Sequence, residues 1–397
     1  MLNRISSFHN YQAVQNDISR QEAKVHQNSA QLASGKKLLT AGDDPVAALY
    51  AQNLTQKKEE LRQYTDTITL ARNRLERHEI AIANAEQFTD DAKRSVMEMI
   101  NGSLAPEDRY AHAQDIKGIA DNFLNLTNML DESGNYLFSG TKPKTQPFFR
   151  SNDGTVAYAG DEYQRSLKVS GSVEVAVNDS GSKLFTEIKN PFGDYDPQYS
   201  LKEGSELLLS KATNTNYTDP ATYEVSFNAG ADGKYNYQLS KDGSAIKTAQ
   251  FDPAEGIKYE GVDIQIRGQL KAGDTITLEP KKTISVFDSF KKAQELALNH
   301  VSDASSTAEL HQVTDEFHAA FIHLSQAQAE VGTRQNTLDQ QEMQHQDFDL
   351  TISKSLSSIE DLDYAQAVIE FSENTRALQA SQQAFGKVKD ITLFNYV

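Results

Sequence analysis

The 397-residue sequence contains no cysteine. Disulfide frameworks, thiolate nucleophiles and cysteine-ligated metals are therefore excluded. No run of roughly 18 apolar residues occurs, so no segment reads as a membrane-spanning helix. The opening, Met1-Leu-Asn-Arg-Ile-Ser-Ser-Phe-His-Asn10, lacks the apolar stretch and cleavage site of a secretory signal. Export, if it occurs, would use a route without a cleaved signal. Basic residues are in deficit: 39 Lys and Arg stand against 56 Asp and Glu, a formal charge of −17. Nucleic acid and anionic membranes require clustered cations, so neither is an expected partner.

Chemistry-bearing patterns are equally sparse. There is no Gly-rich phosphate loop, dinucleotide fingerprint or Ser/His/Asp arrangement. The Asp43-Asp44 pair is explained more simply by helix capping than by acid–base chemistry. His311, His318 and His323 lack the further ligands a zinc site needs. His78 and His345 fall on helical seams as ordinary polar positions. Asp194-Tyr-Asp196-Pro lacks the acidic loop of a calcium site. No enzyme activity, cofactor or metal is expected.

Helix breakers are rare in both flanks: seven of the nine prolines and 13 of the 21 glycines lie between residues 143 and 280. In the N-terminal flank, Tyr11, Ile18, Val25, Leu32 and Leu39 recur every seven residues, giving a narrow apolar stripe that needs another helix to cover it. Gly35, Gly42 and Pro45 then interrupt, with Asp44 suited to cap a helix that Pro45 begins. From there Leu54, Leu61, Ile68, Leu75, Ile82, Thr89 and Val96 form one heptad seam, and Tyr50, Lys57, Tyr64, Ala71, His78, Ala85, Ala92 and Met99 a second. That helix would run roughly 85 Å to Asn101-Gly102. A third is predicted from near Pro106 to Ser133-Gly134.

The period then changes to two, at Val173–Val177, Tyr223–Phe227, Tyr235–Leu239, Val262–Ile266 and Ile276–Leu278, with turn dipeptides such as Asp232-Gly233 and Asp242-Gly243 between strands. The stretch 178–222 carries no clear period. Helical patterning returns at Ile284. Ser306-Thr-Ala-Glu309 reads as a capping box opening a second long helix through Leu310, Phe317, Leu324, Val331, Leu338, His345, Ile352 and Ile359. Glu360 to Asp363 interrupts, and a last helix carries Tyr364, Phe371, Leu378 and Phe385 before an apolar end.

The order is a rough palindrome, satisfied by folding back with each N-terminal helix antiparallel to its C-terminal counterpart. The predicted class is therefore α+β multidomain: an antiparallel long-helix coiled-coil rod formed by the two flanks, with a β-rich middle domain inserted. The boundaries read as 1–42 with 361–397, 43–140 with 284–360, and 141–283, the last with a division near 178 left open. Isolated helices with such narrow stripes are marginal in water. The terminal pair is thus expected to order when neighbours cover it.

Leu32-Ala-Ser-Gly-Lys followed by Asp43-Asp44-Pro45-Val-Ala-Ala resembles the N-terminal signature of the flagellin-like axial proteins of the bacterial flagellum. Gly134-Asn-Tyr-Leu-Phe-Ser-Gly-Thr-Lys142 with Pro147-Phe148, and Val331-Gly-Thr-Arg-Gln-Asn-Thr-Leu338 with Asp361-Leu-Asp-Tyr-Ala365, are similar to further segments of that family. In filament flagellins the acidic pair is usually followed by Ala. Pro45 and the ending Asn395-Tyr-Val397 favour a member at the hook–filament junction, with a filament flagellin as the same-class alternative and a secreted coiled-coil effector or adhesin as the other. The resemblance implies an extracellular structural subunit that polymerises through its paired terminal helices. It assigns the assembly interface to Ile5, Phe8, Tyr11, Ile18, Val25, Leu32, Tyr364, Phe371, Leu378, Phe385 and Val388, and the joint to Gly35, Gly42, Asp43, Asp44 and Pro45. Implied partners are copies of itself, hook-associated protein 1, flagellin and an export chaperone that binds the C-terminal region.

Overall fold

A computed structural model of the chain describes residues 2–100, 104–216, 221–230, 233–299 and 303–390, and excludes the side chains of residues 1–8, 10, 106 and 388–390. The helices are α1 (Leu2–Ser34), α2 (Pro45–Ile100), α3 (Pro106–Thr127), α4 (Val286–Leu298), α5 (Ala304–Glu360) and α6 (Tyr364–Asp390). Between α3 and α4 lie β1 (Phe148–Arg150), β2 (Val156–Tyr158), β3 (Ser166–Lys168), β4 (Glu174–Ala176), a π-helical turn (Ser182–Thr186), β5 (Ile188–Lys189), β6 (Tyr195–Ser200) and β7 (Leu208–Asn214). They continue with β8 (Tyr223–Ala229), β9 (Tyr235–Lys241), β10 (Ser244–Gln250), β11 (Ile257–Tyr259), β12 (Val262–Arg267), β13 (Thr275–Pro280) and β14 (Thr283–Ile284). The class is α+β, with helical flanks and a β-rich middle. Among the described residues no helix is long and apolar enough to cross a membrane.

The chain divides into two compact units, Met1–Asp66 with Gln340–Val397, and Thr67–Asp339. In the first, the terminal unit, α1 and α6 run antiparallel: Tyr11 meets Phe385 at 5.0 Å between ring centroids, and Asn374 donates to Asn28 at 3.3 Å. The N-terminal part of α2 lies antiparallel to the C-terminal part of α5, with Lys58 donating to Ser353 (2.8 Å) and Tyr64 stacking on His345. The second heptad seam does not hold here, since Tyr50 is 54% exposed and Lys57 is exposed. A helix of 3.6 residues per turn drifts about 20° per strict heptad, so a seam buried at Ala71 points outward several turns earlier.

In the central unit the heptads close. Ile68, Ala71, Leu75, Ile82, Ala85, Ala92, Val96 and Met99 of α2 are buried, as are Leu310, Phe317, Leu324, Val331 and Leu338 of α5. The helices are antiparallel, with Arg72–Asp339 at 2.8 Å and Gln335 donating to Glu79 at 2.9 Å. α3 and α4 thicken this core, and Phe123 is ringed by Phe185, Phe287 and Phe290. α3 stops at Thr127, short of Ser133-Gly134, because Asn128 leaves the helix to serve β1. Its side chain donates to the Leu124 and Phe148 carbonyls and accepts from Phe148 N–H at 3.0 Å. α5 begins at Ala304 because Asp303 caps it, its carboxylate accepting the Ser306 N–H at 2.7 Å. The expected Ser306–Glu309 box therefore lies inside the helix, a carboxylate being the better complement to the first turn.

A second core belongs to the strands. One sheet has order β10-β9-β8-β13-β6 and another β11-β12-β7, all antiparallel. Their inward residues, Tyr195, Val225, Phe227, Leu239, Ile264, Ile276 and Leu278 among them, form a cluster separate from the helical one. Ala308 of α5 is buried in the strand cluster, whereas Phe148, Val175 and Ile188 join the helical one. The changeover falls between Ile188 and Phe192. The unassigned stretch 178–222 supplies β5, β6 and β7, whose period is broken by Pro191, Pro197 and Gly204.

Candidate assembly interface

The joint is a pair of chain breaks clipped together within the terminal unit. Lys37 N–H donates to the Glu360 carbonyl (2.7 Å) and Leu362 N–H to the Gly35 carbonyl (3.0 Å). Lys36 Nζ adds an ion pair to Glu360 at 2.9 Å, which raises the lysine pKa. Gly35 adopts φ +70°, and a Cβ there would sit 2.7 Å from Tyr364 Oη, so both conformation and space demand glycine. Gly42 carries no such demand, since its φ is not positive.

Three aspartates fix the backbone at the breaks, one folding the link between α1 and α2 and two capping helices. Asp43 Oδ2 accepts the Leu39 and Thr40 N–H groups at 3.0 and 2.9 Å, and the backbone donor of Thr40, then that of Leu39, lowers its pKa. Asp44 Oδ1 caps α2 through Val46 and Ala47 N–H (3.1 and 3.0 Å), with Pro45 at the first helical position. Asp363 Oδ1 caps α6 in the same way through Ala365 and Gln366. Asp44 is thus the helix cap the sequence suggested, whereas Asp43 is engaged in closing the turn before it. Lys36, Glu360 and Asp363 complete the joint; Glu360 and Asp363 belong to the facing break, and Lys36 and Asp363 to the motifs that carry the resemblance.

Of the residues expected at the interface, Ile18, Val25, Leu32, Phe371, Leu378 and Phe385 are half-buried along the α1–α6 pair, while Tyr11 and Tyr364 are exposed. Ile5, Phe8 and Val388 lie in α1 and α6 with side chains outside the described residues, and the apolar segment 391–397 is outside them altogether. Among the described residues of the pair, only Asn28 and Ala367 are fully buried. Gln21 Oε1 is buried without a hydrogen bond.

The Gly134–Lys142 motif proves structural in a different way. Tyr158 Oη lies within hydrogen-bond distance of the Phe138 carbonyl (3.0 Å) and the Asp161 carbonyl (2.8 Å), which share its one O–H. Asp161 Oδ1 accepts Thr141 N–H (2.8 Å) and Tyr163 N–H (3.1 Å), and a Cβ on Gly140 would overlap it at 2.1 Å. Nearby, the buried Asp179 carboxylate takes a bidentate pair from Arg334 (2.8 and 2.9 Å), a bond from His78 Nε2 (3.0 Å) and one from Gln164 (2.6 Å). Burial would raise its pKa, but the bonds from His78 and Arg334 hold it well below the usual carboxylate range. His78 is therefore more than a tolerated seam residue. Sequence reasoning missed the network because Asp179 lies in the stretch without a period.

The remaining polar candidates do not converge. His323 donates to the Lys183 carbonyl (2.8 Å), His318 faces Lys93 at 3.5 Å, and His311 is half-buried with its pKa lowered by burial. Asp194 accepts Asn214 N–H and Asp196 accepts from Gln312. Among the described residues no three His, Asp or Glu groups could hold a metal ion.

Two family models match the flanks: the bacterial flagellin N-terminal helical region over residues 5–143 and the bacterial flagellin C-terminal helical region over residues 314–397. The chain belongs to the bacterial flagellin family. This flagellin-family chain is 30% identical over 185 residues to flagellar hook-associated protein 3 of Escherichia coli K12, and 28% identical to that of Salmonella typhimurium LT2. Each alignment covers 47% of this chain and 57% of the relative, so the chain spans little more than half the length of these curated relatives. Among solved structures, the flagellar junction protein FlgL of Legionella pneumophila superposes with TM-score 0.66 at 24% identity, covering 79% of this chain and 100% of that one. FlgL of Xanthomonas campestris gives TM-score 0.64 at 23% identity, covering 77% and 99%. These likenesses establish the fold.

Proposed function

We propose that the chain is a structural subunit of the flagellar hook–filament junction, the counterpart of hook-associated protein 3. The observation that carries this reading is the Asp43-Asp44-Pro45 joint, clipped to the facing break at Glu360–Asp363, in a chain whose curated relatives bear that name. The terminal pair α1–α6 polymerises with neighbouring copies through Ile5, Phe8, Tyr11, Ile18, Val25, Leu32, Tyr364, Phe371, Leu378, Phe385 and Val388. Its axial partners are hook-associated protein 1 on one side and flagellin on the other. Before assembly the chain is exported, with a chaperone on its C-terminal region, to an extracellular position on the flagellum. The joint lets the terminal pair reorient while α2 and α5 stay fixed. Support comes from the half-buried seam, which a neighbour would complete. Immunogold labelling of intact flagella tests the assignment: a single band at the hook end is expected, and label along the filament would contradict it.

A further inference from the structure

On one face of the central unit a groove of about 350 Å³ opens between α5, β5 and β7. Its apolar lining includes Ile188, Pro191 and Ile322, the last 44% exposed, and its rim carries Lys189, Lys211 and His323. No carboxylate lines it, and neither lysine has an ion-pair partner among the described residues, although the chain as a whole carries −17. Elsewhere on the same unit stands its physical complement. Tyr163 is 72% exposed, its neighbour Glu162 is exposed, and their loop is held rigid by Asp161, which is itself fixed by Thr141 and Tyr158. An aromatic side chain on a pinned backbone, beside a free carboxylate, can enter a pocket with little ordering cost.

We infer that the Glu162–Tyr163 loop of one copy docks into the Lys189–Lys211 groove of a second copy, the phenol ring against Ile322 and Pro191 and the carboxylate against the lysines. A loop and a groove on different patches of one surface make a heterologous contact, which repeats into a ring or helical layer. This rests on the proposed function, because it needs copies to assemble side by side. It adds a contact in the central unit, independent of the terminal helices.

The cysteine-free sequence makes the test direct. Glu162→Cys and Gln326→Cys chains, the former keeping Tyr163 and the latter altered on the groove wall, are co-expressed in cells lacking their own hook-associated protein 3. Flagella are isolated, mildly oxidised and run on non-reducing gels. A disulfide-linked dimer is expected, at least about tenfold above that from Glu162→Cys paired with the exposed Glu203→Cys, as for an aromatic anchor at an interface centre. Adding Tyr163→Ala to the first chain should lower the yield about tenfold, to the level of the Glu203→Cys control, and a yield unchanged by Tyr163→Ala overturns the inference. Assembly at the hook end without a dimer above the control overturns the inference and leaves the proposed function standing. Absence of the chain from flagella, with both variants folded by circular dichroism, overturns both.

Discussion

The same two helices, α2 and α5, pass through both units, yet the units are built on different terms. In the central unit α2 and α5 are covered by α3, α4 and a set of phenylalanines, and their heptad positions are almost wholly buried. In the terminal unit the buried apolar residues among those described are Ala51 and Ala367, and Asn28 and His345 occupy buried positions as polar groups. What differs is the tertiary cover, which supplies most helical stability in water. A matched pair of seven-residue repeats is thus enough to set partner and direction, but the depth of burial depends on what packs outside it.

This contrast is open to attack at its strongest point first. Asp179→Asn should cost the central unit about 3–5 kcal/mol, because Arg334 and His78 lose a buried ionic partner. Urea denaturation measures the loss, and a change confined to the terminal unit would refute the assignment. The pH dependence follows from the same residue. Its folded pKa is depressed below the ordinary carboxyl value of 3.8, so its stabilisation is present above that pH and is lost as pH falls below it, where only the unfolded carboxyl takes up a proton. The variant should accordingly show a shallower loss of stability on acidification below that value. A smaller effect is expected in the terminal unit. Gly35→Ala places a Cβ against Tyr364 at positive φ and should cost about 1–2 kcal/mol, lowering only the first transition of a thermal melt followed by circular dichroism. A loss shared by both transitions would show the units to be one.

Much of this was legible in the residues. Heptad spacing located α1, α2, α5 and α6, and Asp44, Pro45 and Gly35 marked the joint because capping and left-handed backbone are local properties. The alternating strands at Tyr223, Tyr235 and Val262 were equally plain. The end of α3 at Asn128 was not, because that residue is claimed by β1, a contact 20 residues away. Likewise Asp303 takes the cap from Ser306, and β6 was hidden by Pro197 within the strand, while β7 was hidden because its apolar residues do not alternate. His78 looked like a seam polar residue because its partners, Asp179 and Arg334, are distant in sequence and meet only in the fold.

The central claim is that the terminal pair has direction and register but little buried apolar area of its own. Amide hydrogen exchange on the dilute free monomer tests it most directly. Residues 5–34 and 364–390 should exchange through local opening with protection far below that of Ile68–Met99 of α2 and Leu310–Leu338 of α5, which stay protected to the limit of global unfolding. Equal, strong protection across both regions would contradict the account.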